Sequence, residues 1–529
     1  MSRLAPCVVA ARWVTRPSRP PSLALPGPPR RCLLPRPRPR LVHRRRASFA
    51  SGASGGGAAS SADAAAPVSD SSPASPSPVP RVLILAGPTA VGKTSLSLAV
   101  AKALDGEIVS ADSVQVFRGL DVGSSKLPLR ERRGVRHHLI DVADPSEELG
   151  AGDFCRLAWA AIDDIASRGK TPVVVGGTGF YLRWLVEGAP AVPPSRPESF
   201  ADAARRVEEA VRAATTTEGS EDSPEDLRKG SEESDTTDPR GWLAATALLR
   251  EAGDPETADA LAANDWYRLR RALEIVTVTG GVPKGAFRDT PRRPPYDFRG
   301  VVLTLPRVEL YRRIDARSEA MVRDGVLDEA AAMLERGVTA DSAPAARAIG
   351  YRQAIAFLVR RVSLKRGEEG EEPPPSDGRV THAELAAFVE ETRSATRAFA
   401  KRQLTWFRGE PPGRYAWLDA SKASSEEELV RAVLAVFHEE RRGAFAETAA
   451  ATEGSSTTKD ASLAAKLRDA SEGEADAETA RALKRYVAEW TCLREGSDDA
   501  EATRRRVDEL VEELVGRGVL PGEGGAAAE

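Results

Sequence analysis

The chain has 529 residues, 41% hydrophobic and 29% charged, with a formal net charge of −3; that length allows two to four domains and at least one large core. No apolar run approaches the roughly 18 residues of a membrane span, and the four scattered cysteines, Cys7, Cys32, Cys155 and Cys492, give neither a disulfide framework nor a zinc-knuckle spacing. The near-neutral total hides an asymmetry: residues 1–62 hold 12 Arg and no Lys, Asp or Glu, which leaves −15 for the remainder.

An acid-free leader rich in Arg, Pro and Ser has the composition of an organelle transit peptide. A disordered tail from a GC-rich genome reads the same way, since Arg exceeds Lys throughout. The abundant Pro favours a chloroplast destination over a mitochondrial one, with the cytoplasm as the alternative if the leader is only a tail. Residues 51–80 are Ser, Gly, Ala and Pro with little else, a flexible linker, so order is expected to begin near Arg81.

From 81 to 188 the pattern alternates strand and helix. The expected strands are Val82–Ala86, Glu107–Ser110, Leu139–Val142 and Pro172–Val175, with helices from Ser95 to Leu104 and from Asp153 to Ser167. This rhythm predicts an α/β fold, a doubly wound parallel sheet with helices on both faces. Residues 189–265 break it with a Pro-rich entry, helical stretches and an acidic Ser/Thr run from Glu218 to Asp238, and are expected to form a mainly helical insertion with a disordered loop. The core resumes over 266–441: a helix at Trp266–Thr279, a strand at Gly300–Leu305 and helices at Arg307–Arg336, Arg347–Arg361 and His382–Lys401, with a Pro/Glu/Gly-rich loop from Lys365 to Arg379. Residues 442–529 read as an acidic helical extension.

The most specific motif is Gly87-Pro88-Thr89-Ala90-Val91-Gly92-Lys93-Thr94 between the first strand and the first helix. This is the G-x-x-x-x-G-K-[ST] phosphate loop in its strand–loop–helix setting. Its glycines let backbone N–H groups converge on phosphate oxygens, Lys93 adds a charge, and the Thr94 hydroxyl suits Mg²⁺. Asp112 ends the next strand, at the edge where an open parallel sheet receives ligands; an N-cap role for Asp112 or Ser113 is the plainer reading. Val173-Val174-Val175 runs into Gly176-Gly177-Thr178-Gly179, which carries no carboxylate. That turn suits a second polar contact or is simply a strand-to-helix corner. With the acidic role left to Asp112, the site looks built for transfer from a phosphorylated donor rather than for hydrolysis.

Lys401-Arg402-Gln403-Leu404-Thr405-Trp406-Phe407-Arg408 interleaves cations with aromatics, the means by which proteins neutralise phosphates and stack on splayed bases. Arg268, Arg270 and Arg271 form a second cluster, and Arg347 with Arg352 a third. Each alone reads as a solvated helix face; together, in an acidic chain, they point to RNA. His137 and His138 are adjacent on a strand, face opposite ways and are expected to be structural.

These residues, with GPTAVGKTSLSLAVAKAL, EIVSADSVQVFRGLDVGSSK, HHLIDVADPSE, VVVGGTGFYLRWLVEG, NDWYRLRRALEI, LYRRIDARSEAMV, RAIGYRQAI and AKRQLTWFR in that order over 81–420, resemble the tRNA dimethylallyltransferases, in particular the plant or algal branch of bacterial type. The resemblance implies transfer of a dimethylallyl group from its diphosphate to N6 of adenosine 37, beside the anticodon, with pyrophosphate as leaving group and Mg²⁺ held at Thr94. It implies a general base at Asp112, a diphosphate-binding Arg317, and Thr178 at the active-site channel. The tRNA-contacting segments it implies are Asp112, Ser113, Val114 and Gln115; Tyr267, Arg268, Arg270 and Arg271; Arg347, Gly350, Tyr351 and Arg352; and Lys401, Arg402, Gln403, Thr405, Trp406 and Arg408. The expected partners are dimethylallyl diphosphate and the tRNA anticodon loop, with no membrane, for a monomeric enzyme. Departures from the family pattern are Phe117 in place of Tyr, Ser124-Ser125 in place of Thr-Ala, and the lack of any Cys-x-x-Cys for a C-terminal zinc finger. An adenylate isopentenyltransferase acting on free AMP, ADP or ATP shares the loop and the Asp, and a non-catalytic RNA-binding module shares the loop; the Arg347–Arg352 and Lys401–Arg408 segments favour tRNA.

Overall fold

A computed structural model of the chain describes residues 79–215, 239–287, 296–339, 343–367, 378–439, 458–467 and 477–519. The expected transit peptide, nearly all of the linker, the acidic run at 218–238 and most of the loop between Lys365 and Arg379 lie outside the described residues. β1 (Arg81–Ala86), β2 (Gly106–Ala111), β4 (Thr171–Gly176) and β5 (Asp297–Thr304) are built around short aliphatic stretches and are buried almost end to end. Near-continuous burial of this kind belongs to parallel strands covered on both faces. With β3 (His137–His138) and β6 (Tyr415–Asp419) at the edges, they form one parallel sheet in the order β3-β2-β4-β1-β5-β6.

The connection β1–α1–β2, through α1 (Lys93–Ala103), moves along the sheet in one direction. The connection β3–α2–β4, through α2 (Ala151–Ser167), moves in the other. Right-handed crossovers that run in opposite directions place their helices on opposite faces, which makes the sheet doubly wound. α2 packs with α3 (Gly179–Glu187) and α1 with α12 (Glu426–His438). Ala86 and Ala111 both pair with Gly176 of the central β4. Residues 87, 112 and 177 therefore leave the sheet side by side at its carboxyl edge, where open α/β sheets bind ligands.

Four helices, α4 (Pro197–Thr215), α5 (Pro239–Glu251), α6 (Pro255–Ala260) and α7 (Trp266–Val278), bury a core of their own around Val207, Leu249, Leu269 and Leu273. α7 belongs to that core, so this packing unit runs to Val278 and not to the expected boundary at 265. A further helical core joins α8 (Arg307–Asp324), α9 (Val326–Glu335), α10 (Tyr351–Arg366) and α11 (His382–Arg408) to Leu493 and to α15 (Asp498–Gly516) through Val507 and Leu510. Val116, Phe117 and Leu120, just after β2, are buried in the same cluster. α13 (Thr458–Leu467) packs on α12, and α14 (Ala477–Lys484) on α8.

Three expectations need correction. Leu139–Val142 is not a strand: Leu139 and Asp141 take left-handed φ of 62° and 58°. The backbone there bonds instead to the loop after β2, through Asp141 N–H to Gln115 O and Val142 N–H to Val116 O, and only His137–His138 pairs with β2. The helix expected over Arg307–Arg336 breaks at Gly325, which sits at φ 118° and serves as C-cap of α8 and N-cap of α9. The helix expected over His382–Lys401 runs seven residues further, to Arg408, and is followed by the unexpected β6.

Candidate active site

The loop from Gly87 to Gly92 is shaped by backbone conformations that few residues tolerate. Gly87 sits at φ 142°, and a Cβ there would lie 2.7 Å from the Leu303 carbonyl oxygen of β5. Ala90 is left-handed at φ 64°. Gly92, at φ 106°, opens α1 with no side chain capping it and no acidic residue in the first turn. The free N–H groups and dipole of that helix end favour an anion. Lys93 folds back over the loop, its ammonium donating to Gly87 O at 2.9 Å and Pro88 O at 2.7 Å. Burial pushes its pKa down to about 7; Asp112 opposes the shift and Arg317 adds to it. The three side chains therefore share one electrostatic environment.

Arg317, on α8, donates to the Thr89 hydroxyl. Its Nε is buried with no partner among the described residues, and burial holds its pKa below the usual guanidinium value while Asp112 opposes this. A buried cation with an unused donor beside a depressed lysine is an incomplete charge arrangement that a bound polyanion would complete.

Asp112 combines both readings of its position. Its Oδ1 accepts from the backbone N–H of Val114 at 2.9 Å and of Gln115 at 3.3 Å, holding the turn after β2. Its other oxygen takes no hydrogen bond among the described residues and remains available beside the two cations. Glu329 holds the continuation of that turn, accepting from the N–H groups of Asp121, Val122 and Gly123 and from the Tyr351 hydroxyl.

No group of three or more His, Cys, Asp or Glu side chains forms a metal cage among the described residues. What exists at the loop is the exposed Thr94 at the first turn of α1. That fits a hard cation such as Mg²⁺, which keeps several waters and takes most remaining ligands from substrate phosphates.

The other expected site residues divide into groups. Thr178 stands at the N-terminus of α3 without capping it, next to Gly177 and the phosphate loop. Tyr267 is 51% exposed and donates to Glu148; Arg271 and Arg347 both act on it electrostatically, so the insertion and the short turn that precedes α10 converge. Arg268, Arg347, Arg352, Lys401, Arg402 and Thr405 are exposed, while Arg270, Trp406 and Arg408 are half-buried. Arg271 is committed to Glu274 and the Pro193 carbonyl. Ser113, Val114 and Gln115 are half-buried in the turn after β2, where the Gln115 amide bonds Ser110 and Ser124. Gly350, at φ 95°, opens α10, and Tyr351 is fully buried with its hydroxyl on Glu329. Tyr351 thus supports the turn from beneath, and both residues are buried instead of facing outward.

Gln403 likewise faces inward. Its amide accepts from Thr89 N–H and donates to Gly177 O, both at 2.9 Å, so it ties the phosphate loop to the turn after β4. A Cβ at position 177 would lie 2.3 Å from its Nε2. The signal for this was present: Ala400, Gln403, Leu404 and Phe407 are the buried stripe of α11 at helical spacing, with Lys401, Arg402 and Thr405 on the outer face. Glu329 carries no local motif and was not foreseen.

Comparison with known proteins adds an independent line. The family model described as IPP transferase matches residues 115–410, and one described as Isopentenyl transferase matches residues 80–144. The chain is similar to tRNA dimethylallyltransferase 9 of Arabidopsis thaliana, 40% identical over 373 residues, which are 65% of this chain and 72% of that one. It is 39% identical over 334 residues to tRNA dimethylallyltransferase 1 of Trichlorobacter lovleyi, covering 63% of this chain and 92% of the relative. Among solved structures it is similar to the full-length tRNA isopentenylpyrophosphate transferase from Bacillus halodurans, with 31% identity, a TM-score of 0.41, and coverage of 68% of this chain and 96% of that one.

Proposed function

The chain belongs to the IPP transferase family and transfers a dimethylallyl group to tRNA, and from that premise we propose that the donor is dimethylallyl diphosphate and the acceptor N6 of adenosine 37 in the anticodon loop. The observation that carries this reading is the group of Lys93, Arg317 and Asp112 at one strand edge: two under-neutralised cations for a leaving diphosphate, and a carboxylate oxygen free to accept a proton. The adenine leaves the anticodon stack to reach them, at a cost of a few kcal/mol. The C1–O bond of the donor breaks and the N6–C1 bond forms. The N6 proton passes to Asp112 as general base. The growing charge on the diphosphate meets Lys93, Arg317 and the first N–H groups of α1. The Thr94 hydroxyl would hold Mg²⁺, which would supply further neutralisation of the leaving group.

The test is incubation of the full chain with labelled dimethylallyl diphosphate and Mg²⁺, without ATP, and with either tRNA or AMP as acceptor. Label is expected in tRNA alone; label in AMP would move the protein to the adenylate-prenylating class, and an ATP requirement would contradict a loop dedicated to diphosphate. The leader is proposed to direct import into a chloroplast. Residues 1–80 fused to a fluorescent protein should then light up plastids, and a diffuse cytosolic signal would remove that part of the proposal.

A further inference from the structure

Arg183, on α3, is a cation whose charge is already matched. Its Nε and Nη2 lie 2.7 and 2.6 Å from Glu410 Oε1, and that carboxylate is 2% exposed and also paired with Arg414, whose own charge is balanced by Glu187 at 2.6 Å. The guanidinium carbon lies 4.3 Å from the Trp406 ring centroid. With its donor edge turned to a buried carboxylate and one face on an indole, what Arg183 offers outward is a flat face. That face borders a groove of about 540 Å³ lined by Arg183, Lys401, Arg402, Thr405 and Trp406. Phe180, 43% exposed one turn earlier on α3, meets Trp406 edge-on at 6.2 Å.

We propose that Arg183, stacked on Trp406, is the platform on which one unstacked base of the tRNA anticodon loop lies, while Lys401 and Arg402 at the rim meet the phosphates beside it. The proposal rests on the tRNA-transferase reading and adds to it a residue that reads base surface rather than backbone charge. Two arguments favour stacking over a phosphate contact. A guanidinium neutralised by a buried carboxylate has little charge left to displace counterions. A planar group held 4.3 Å over an indole is pre-ordered for a further plane, and arginine planes and aromatic rings are the surfaces on which single-stranded bases stack. Lysine in the same place keeps the charge and lacks the plane.

The experiment measures tRNA affinity of the full-length protein across a salt series for the wild type, Arg183→Lys, Arg183→Met, Trp406→Leu and Lys401→Ala, with the KM for dimethylallyl diphosphate as a check on the donor site. Arg183→Lys and Arg183→Met are each expected to weaken tRNA binding by about 5- to 150-fold, the range for loss of one stacked base, with the slope of log affinity against log salt unchanged and the donor KM within about twofold. Lys401→Ala is expected to flatten that slope instead. Should either Arg183 variant misfold because Glu410 loses a partner, Trp406→Leu removes the platform and leaves that ion pair in place, and carries the same expectation. Wild-type affinity in Arg183→Lys, or a flattened slope in Arg183→Met, would make Arg183 a charge contact and overturn the proposal. Failure of the wild type itself to bind tRNA would instead overturn the functional reading beneath it.

Discussion

Asp112 spends one oxygen on the turn after β2 and keeps the other beside Lys93 and Arg317, so its two roles separate by substitution. Asparagine still accepts from Val114 and Gln115 through its carbonyl oxygen but cannot take a proton. Asp112→Asn should lower single-turnover transfer by about 10²–10⁴-fold, the usual share of a general base, while tRNA affinity and thermal stability stay near wild type. A folded variant with normal turnover would leave Asp112 as a loop support alone. Lys93 gives a pH signature. Burial drops its pKa to about 7 in the free protein, and a bound diphosphate restores the charge by raising it again. Below pH 7 the lysine is already charged and donor affinity is full; above pH 7 binding must take up a proton, and affinity should fall by about tenfold per pH unit until the bound-state pKa is reached. Calorimetry of donor binding in buffers of different ionisation enthalpy checks this: uptake approaching one proton at pH 8 and little at pH 6. Equal uptake at both would show that Lys93 does not titrate there.

Helix α11 joins the two halves of the site through its periodicity. Lys401, Arg402 and Thr405 face outward; Gln403, one residue further round, holds Thr89 and Gly177 from within. Gln403→Met keeps length and volume but leaves the Thr89 N–H and the Gly177 carbonyl without their partner. The donor KM should rise several-fold or more with tRNA affinity little changed, whereas Lys401→Ala with Arg402→Ala should weaken tRNA binding, flatten its salt dependence and spare the donor KM. If both variants moved the same constant, the division of the helix into two faces would have no functional meaning. Elements of this kind were largely legible in the sequence. β1, β2 and β4 declare themselves through short aliphatic stretches that lead into Gly87, Asp112 and Gly177, and the carboxyl-edge position of those residues follows from a parallel sheet. What was not legible depended on tertiary context. Leu139–Val142 has strand composition, but its backbone bonds to the turn after β2 in left-handed conformations. β6 is five residues long and exists because β5 offers an edge. Gly325 is one glycine inside a helical pattern, and propensity alone does not say whether such a residue breaks the helix.

At the scale of the molecule, the segment beyond the family match reaches back to the helix that carries Arg317. Asp315, two residues before it, pairs with Arg397 at 2.6 Å and accepts from the Tyr486 hydroxyl at 2.5 Å. One turn further, the fully buried Glu319 pairs with the equally buried Arg393 and accepts from the backbone N–H groups of Thr491, Cys492 and Leu493. Trp490 covers the Arg393 guanidinium at 4.3 Å. Breaking such a pair from one side leaves an uncompensated buried charge, so Glu319→Gln or Arg393→Met should each cost about 3–5 kcal/mol in chemical denaturation, and replacing both together should cost less than the sum. The pair also sets an acid limit. Burial alone would raise the Glu319 carboxyl, but the N–H groups of Leu493, Cys492 and Thr491, with Arg393, outweigh it and leave its pKa below the ordinary carboxylate value. A carboxylate depressed in the folded state contributes stability that is fully present above its unfolded pKa and is lost as pH falls through the folded one. Acidification should therefore loosen residues 491–493 before the sheet opens. Hydrogen exchange would show this as amides 491–493 well protected at neutral pH and losing protection in acid while Leu83 and Ile84 of β1 stay protected; amides 491–493 that already exchange freely at neutral pH would mean that the extension is not anchored through Glu319.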